Sequence, residues 1–194
     1  MPDSFDALID DALARLNRAV RDRDAPMHSP VVVTGDGDAR IMVVRAADGD
    51  LAALRFHTDA RSPKVRTIAA DARITVLAYD PFDRVQLRLT GTARVEQTGD
   101  WADAAWAATS PLGRRCYLAM VGPGAPLSAP ESALPADLRD HRPTLAQSEA
   151  GRANFAIVLV RVTAFDWLRL GRDGGLRARF ERSECGWQGE WIAP

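Results

Sequence analysis

The chain is nearly devoid of lysine. Lys64 stands alone, and every other basic residue is arginine. Cysteine, histidine and tyrosine are also scarce, with 2, 3 and 2 copies in 194 residues. Each scarcity excludes something. Cys116 and Cys185 are too few for a disulfide framework and read as buried or idle thiols of a reducing cytoplasm. His28, His57 and His141 lie far apart without metal-ligand spacing, so no metal site is expected. A net charge of -1 lacks the basic excess of a nucleic-acid footprint. No apolar run approaches the roughly 18 to 20 residues that span a bilayer. The amino terminus, MPDSFDALIDDALARL, is acidic and amphipathic, without the basic start and apolar centre of a signal peptide. These absences predict a cytoplasmic protein that binds neither nucleic acid nor membrane.

What is present suits a globular domain. The chain is 46% apolar and 26% charged, and its length supports one substantial core. It shows no internal repeat and no linker, so residues 1–194 read as a single domain, with an amphipathic helix within 1–25 and a long loop over 122–151. Phe5, Leu8, Ile9, Ala12, Leu13, Leu16 and Val20 recur at helical spacing between Ser4 and Arg23, with Ser4 or Asp3 as cap. Strands follow: Val31 to Thr34, a turn at 35–38, Arg40 to Arg45, a turn at Asp48-Gly49, then Leu51 to Thr58. Ser62 to Ala70 reads as a helix and Ile74 to Tyr79 as a strand. From Val85 to Glu96, apolar and polar residues alternate strictly, giving one core face and one face open to solvent, ligand or partner. Gly99 to Ala108 and Leu112 to Val121 read as helices. The loop 122–151 is rich in Pro, Gly, Ala and Ser, and loops of that length are usually functional or mobile. Ala153 to Phe165 is a nearly continuous apolar strand continued to Leu170. A turn at Asp173-Gly174-Gly175 leads to Leu176 to Arg182, and the chain ends in a Trp-rich tail. Antiparallel strands in hairpin order with few intervening helices predict a mainly β fold, a β-barrel with flanking helices. Closing the sheet also removes exposed edges.

Lys64 lies in FHTDARSPK, after a strand and at the start of a helix. A GC-rich coding bias would also leave few lysines, so its neighbours decide its meaning. Unpaired N–H groups and the dipole at a helix start favour an anion, and Arg61, Ser62, Thr58 and Lys64 add hydroxyls, a planar cation and a point cation. Arg40 opens a strand within reach of a phosphate. The backbone of Ile41 to Arg45 can pair with the polar edge of a flat heterocycle. Gln86 projects from a polar strand face and can both donate and accept. Taken singly, each has a plain reading as a surface arginine, a satisfied turn serine or a solvated glutamine.

Their order is more specific. RIMVVR, FHTDARSPK, VQLRLTGTA, and then DWL, RARF and GWQGEWIAP resemble the pyridoxamine phosphate oxidase-like family of FMN-binding split barrels. The resemblance runs from about Pro30 to the C-terminus. It implies an antiparallel split β-barrel that binds FMN, forms a homodimer with FMN at the subunit interface, and acts as an oxidoreductase on a small-molecule substrate. By position it implies that Arg40 binds the FMN phosphate. The backbone of Ile41, Met42, Val43 and Val44 meets the isoalloxazine ring, with Arg45 a flavin or substrate contact. His57 and Thr58 lie beside the flavin, and Arg61, Ser62 and Lys64 form the phosphate turn. Gln86 hydrogen-bonds the flavin, and Trp167 and Arg179 reach it from the second subunit. The substrate side departs from the oxidase. Arg45 replaces a lysine. The tyrosine, arginine and serine that clamp the substrate phosphate fall near Trp106, Ser110 and Arg114, and the C-terminal arginine and histidine fall near Gly175 and Arg177. Pyridoxamine phosphate oxidation is therefore not expected. A non-catalytic flavin-binding sensor or carrier, and a split barrel using a deazaflavin or haem, stay open as alternatives.

Overall fold

A computed structural model describes residues 4–171 and 174–194. Asp3, one candidate cap, and Asp173, the first residue of the expected turn, lie outside them. The elements are α1 (Phe5–Arg21), β1 (Val31–Thr34), β2 (Ala39–Ile41), β3 (Val44–Ala47), β4 (Ala53–Asp59), α2 (Pro63–Ala70), β5 (Arg73–Asp80), β6 (Val85–Glu96), α3 (Asp100–Ala107), α4 (Pro111–Arg114), α5 (Leu145–Glu149), β7 (Phe155–Arg169), β8 (Leu176–Ser183) and β9 (Gly186–Ile192), with 3-10 turns at Arg115–Leu118, Ala136–Leu138 and Arg152–Asn154.

The strands form one antiparallel sheet in the order β2-β1-β5-β6-β7-β4-β3, with β8 and β9 continuing from the end of β7. β2 and β3 stand at opposite ends of that order, yet only Met42 and Val43 separate them in the chain. The sheet must therefore curl until its two ends nearly meet. RIMVVR is not the single strand its β-branched run predicts; it is the seam of the barrel. At the seam the amides of Met42 and Val44 donate to the carbonyls of Pro30 and His28, each at 3.0 Å. These bonds replace ladder bonds that buried backbone would otherwise lack.

Alternation decides what faces inward. Leu87 and Leu89 of β6, Val158, Val160, Val162, Phe165 and Trp167 of β7, and Phe56 of β4 are all buried. Phe165 stacks on Phe180 with ring centroids 4.4 Å apart. α1 lays Leu8, Ala12, Leu16 and Ala19 on this core. Ser4 caps it by accepting from the Ala7 amide at 3.3 Å. Where β6 bends against β7, the register shifts between Thr90 and Gly91. A Cβ on Gly91 would lie 1.9 Å from the Arg161 carbonyl oxygen, so only glycine fits.

A second core packs α3 and the following turn on the other face of β7, joining Ala102, Ala105, Trp106, Tyr117, Phe155 and Ile157. The helix expected over Leu112 to Val121 is shorter: α4 ends at Arg114 and a 3-10 turn ends at Leu118. The reason is local. Asn154 Nδ2 donates to the Tyr117 carbonyl at 2.8 Å, and Arg61 donates to the Ala119 carbonyl at 2.9 Å, so both carbonyls leave the helical pattern. The tail is not loose. Gly186, at φ 111°, turns the chain into β9, which pairs with β8. Trp187 donates to the Asp50 carbonyl at 2.7 Å. Trp101 is 62% exposed and stands outside both cores. Both cysteines are free and exposed. Among the described residues no His, Cys, Asp and Glu cluster can hold a metal. No helix among them is long and apolar enough to cross a membrane.

Candidate cofactor site

β4 delivers Thr58 and Asp59 to the start of α2. Ser62 precedes Pro63, which confines it to extended backbone, and Pro63 opens the helix where no N–H is needed. Asp59 shapes the turn by accepting from the Arg61 amide at 2.8 Å, from Arg61 Nε at 3.0 Å and from Arg61 Nη2 at 2.7 Å. Together with the bond to Ala119, this commits the Arg61 guanidinium to holding the turn and tying it to the next segment. The Asp59 carboxylate raises the Arg61 pKa still further.

Lys64 is placed differently. Its Nζ donates to Ser62 Oγ at 2.6 Å and to Thr58 Oγ1 at 3.3 Å, and no carboxylate pairs with it among the described residues. Burial lowers its pKa, and the nearby Arg40 guanidinium lowers it further. Arg40 rises from β2, where its Nη1 donates to Thr34 Oγ1 at 3.0 Å. Its Nη2 pairs with Asp38, an exposed carboxylate at the hairpin tip. Lys64 thus sits on two hydroxyls at a helix start with a second cation, Arg40, nearby, an arrangement suited to an anion.

Beyond this pocket the seam and β4 form a second part. Ile41 is 70% exposed and Met42 is buried. The Val43 amide, off the ladder, has no backbone partner among the described residues. A bulge between Val44 and Ala46 gives Arg45 a register of its own on the exposed side of β3, a common way to re-aim a side chain. His57 Nε2 is buried and unpartnered. Its ring stands edge-on to Phe155 at 4.9 Å. Burial, then the charges of Arg45 and Arg55, push its pKa down to about 3, so it is neutral at working pH.

Gln86 and Arg179 lie on another surface. Cross-strand register aligns Arg88, Asp166, Arg179 and Glu190 in one rung, and Gln86, Leu168 and Arg177 in the neighbouring rung. Asp166 is 5% exposed. It pairs with Arg88, with Arg177 at 2.7 Å and with Arg179 at 3.5 Å. Burial alone would raise its pKa, but the arginines outweigh this and hold it down. No hydrogen bond among the described residues joins this face to the Lys64 pocket. Trp167 departs from the expected role. It is 1% exposed, and its indole N–H donates to Asp11 Oδ2 at 2.7 Å. It therefore offers a flavin no surface, because its place in the β7 alternation turns it toward the core and α1.

Two of the oxidase-like substrate positions, Trp106 and Arg114, are buried. Arg114 is 3% exposed, donates to the Trp106 carbonyl at 2.8 Å and lies 4.4 Å over the Trp106 ring. Glu149 pairs with Arg114 and accepts from Trp106 Nε1 at 3.0 Å. Ser110 caps α4 through the Gly113 amide at 3.2 Å. Trp106 and Arg114 are thus committed to each other and to Glu149 rather than free to clamp a phosphate. Sequence reasoning missed Thr34, which steers Arg40, and Asp59, which builds the turn. The Asp-x-Arg spacing of residues 59 and 61 was a signal for the second; Thr34 carried none.

Residues 13–97 match the family model described as pyridoxamine 5'-phosphate oxidase, FMN-binding domain. The fold is similar to that of a pyridoxamine 5'-phosphate oxidase-related, FMN-binding protein from Nostoc punctiforme PCC 73102, with TM-score 0.68 and 23% identity over 95% of this chain and 96% of that one. PhzG from Burkholderia lata 383, solved in complex with tetrahydrophenazine-1-carboxylic acid, gives TM-score 0.71 at 18% identity over 100% of this chain and 94% of that one. A Clostridium acetobutylicum protein related to general stress protein 26 gives TM-score 0.52 at 14% identity over 86% and 93%. No curated protein matches the chain by sequence. The fold is thus the split barrel of these neighbours, and residues 13–97 are similar to the FMN-binding domain of pyridoxamine 5'-phosphate oxidase.

Proposed function

We propose that the chain is an FMN-dependent oxidoreductase, working as a homodimer on a small molecule other than pyridoxamine phosphate. Lys64, held on the Thr58 and Ser62 hydroxyls with the Arg40 guanidinium near enough to lower its pKa, carries the reading. These four groups would hold the FMN phosphate, with Lys64 as point charge and Arg40 as fork. Arg61 contributes by fixing the turn through Asp59 rather than by touching the phosphate. The Val43 backbone and the unpartnered His57 Nε2 suit the polar edge of the ring. His57, neutral, offers either a donor or an acceptor there according to tautomer.

Bound FMN supplies electron transfer, and the protein supplies binding, orientation and electrostatics. Arg45 presents a cation beside His57 for developing negative charge on the ring or for an acidic group of the substrate. The Gln86, Arg177 and Arg179 face is separate from the Lys64 pocket within one chain. A second copy supplying that face to the pocket of the first is the simplest way to complete the site. The Trp106–Arg114–Glu149 staple, in which Trp106 and Arg114 are buried, supports a substrate other than pyridoxamine phosphate.

Purified protein is expected to be yellow and dimeric. Arg40→Ala and Lys64→Ala should lose FMN on gel filtration while Arg73→Ala, at an exposed strand end, retains it. Equal retention in all three would refute the pocket. The absorption spectrum separates FMN from a deazaflavin or haem. Photoreduced protein that reoxidises quickly only with a particular acceptor is an enzyme; indifference to every acceptor favours a sensor or carrier.

A further inference from the structure

A groove of about 680 Å³ runs across the outer face of β4, β7 and β6, within the size range of small-molecule sites. Register builds it. Arg55, Leu159 and Arg94 form one rung, and Ala53, Arg161 and Thr92 form the neighbouring rung. The small side chains of Ala46 and Ala53 leave the hollow, and Trp101, 62% exposed, makes a wall. The charge lining it is lopsided. Arg55, Arg94 and Arg161 face it against Asp48 alone among its lining acids. Arg94 is already paired with Glu96 at 2.7 Å. Arg55 and Arg161 have no carboxylate partner among the described residues, and Arg55 Nε is buried without any partner. A buried donor left unpaired is costly, so a site that keeps one open is suited to a ligand that fills it. Arg55 and His57 project from the same face of β4, two residues and roughly 7 Å apart, so the groove adjoins the ring end of the flavin pocket.

We infer that this groove binds a planar aromatic carboxylate, its ring on the Ala and Leu159 floor against Trp101 and its carboxylate on Arg55. This names a substrate class for the flavoenzyme, and it rests on that reading only in calling the ligand a substrate. An indole wall stacks on a flat ring, and a guanidinium fork matches a carboxylate in two parallel bonds.

The test titrates the FMN-loaded protein with 2-naphthoate and with its neutral isostere 2-naphthamide, by calorimetry, while flavin absorbance reports cofactor retention. The acid should bind at least tenfold more tightly than the amide. Arg55→Met should remove that preference without releasing FMN, and Trp101→Ala should weaken both ligands alike. Equal affinity for acid and amide, or an unchanged preference in Arg55→Met, overturns the inference. So does FMN loss in Arg55→Met, which would place Arg55 in the cofactor site. Conversion of either variant from dimer to monomer on gel filtration also overturns it, because the groove would then be an interface between copies. A wild-type protein that never retains FMN would fail the flavoenzyme reading and leave the naphthoate comparison intact.

Discussion

Replacing Lys64 by methionine should separate binding from folding. In the empty pocket Lys64 is held against two penalties, burial and the Arg40 charge, and both push its pKa down. Its compensation is two hydrogen bonds, to Ser62 Oγ at 2.6 Å and Thr58 Oγ1 at 3.3 Å. A methionine keeps the stem and removes the charge. Losing two ordinary bonds costs roughly 1–2 kcal/mol, offset by relief of the like-charge contact and of ammonium desolvation. The FMN-free variant should therefore unfold in urea within about 1 kcal/mol of wild type. Phosphate binding loses a charge-assisted bond worth about 1.5–3 kcal/mol, or roughly 10- to 150-fold in FMN affinity. Quenching of flavin fluorescence on titration reads the affinity. Inorganic phosphate should raise the melting temperature of the FMN-free wild type more than that of the variant, since a ligand stabilises the state it binds. A variant with unchanged FMN affinity and markedly lower stability would show Lys64 to be a structural residue and refute the anion pocket.

The neighbouring cation should behave in the opposite way. Arg61→Met leaves the Asp59 carboxylate, 7% exposed, without its partner, so urea unfolding should show a loss of about 1–3 kcal/mol while FMN affinity per folded molecule falls less than in Lys64→Met. His57 gives a pH signature in the FMN-free protein. Its folded pKa of about 3 lies below the ordinary 6.5, so the unfolded chain takes up a proton first as pH falls. Stability should be complete above pH 6.5 and decline below it, by up to about 1.4 kcal/mol per pH unit. His57→Phe should flatten that decline between pH 6 and 4; equal slopes would refute it. Gly91→Ala should destabilise by about 1–3 kcal/mol or more in denaturant titration, because its Cβ meets the Arg161 carbonyl at 1.9 Å and backbone must shift.

What the sequence discloses and conceals follows from the range of each interaction. β6 is legible to the residue, since strict alternation from Val85 to Glu96 is a local consequence of having one core face. The start of α2 is legible because Ser62-Pro63 restricts its own backbone. RIMVVR misleads because its centre is apolar and rich in β-branched residues, whereas its break depends on His28 and Pro30 and on where the sheet ends meet. Lys64 and Arg40 are identifiable by type and order. The diversion of Arg61 to Asp59 is not, because a turn arginine reads the same whether its fork faces a ligand or a neighbour. Trp167 shows the limit of carrying a role by position. β7 is apolar on both faces, so its sequence does not say which way the indole points, and the Asp11 carboxylate on α1 supplies the hydrogen bond that keeps it inside.

The same distinction governs the substrate side. At Trp106 and Arg114 the chain has residues of the right general kind for contacting a ligand, yet both are turned inward to hold α5 against α3. The guanidinium fills the Trp106 carbonyl and stacks on the indole, and Glu149 closes the group from the solvent side. If this is a staple, Arg114→Met should lower stability by about 1–3 kcal/mol, since the Trp106 carbonyl loses both guanidinium donors and keeps the Thr109 amide, and the stacking on the indole goes with them. The exposed side of Glu149 makes the ion pair itself a minor contributor. FMN affinity of the folded fraction should stay at the wild-type value, and the 2-naphthoate preference with it. Protease cleavage within residues 122–151 should accelerate, because the anchor of that loop is gone. A variant that keeps its stability and loop protection but loses 2-naphthoate binding would place Arg114 at the ligand, and the recognition of the acidic group would then have to move from β4 to α4.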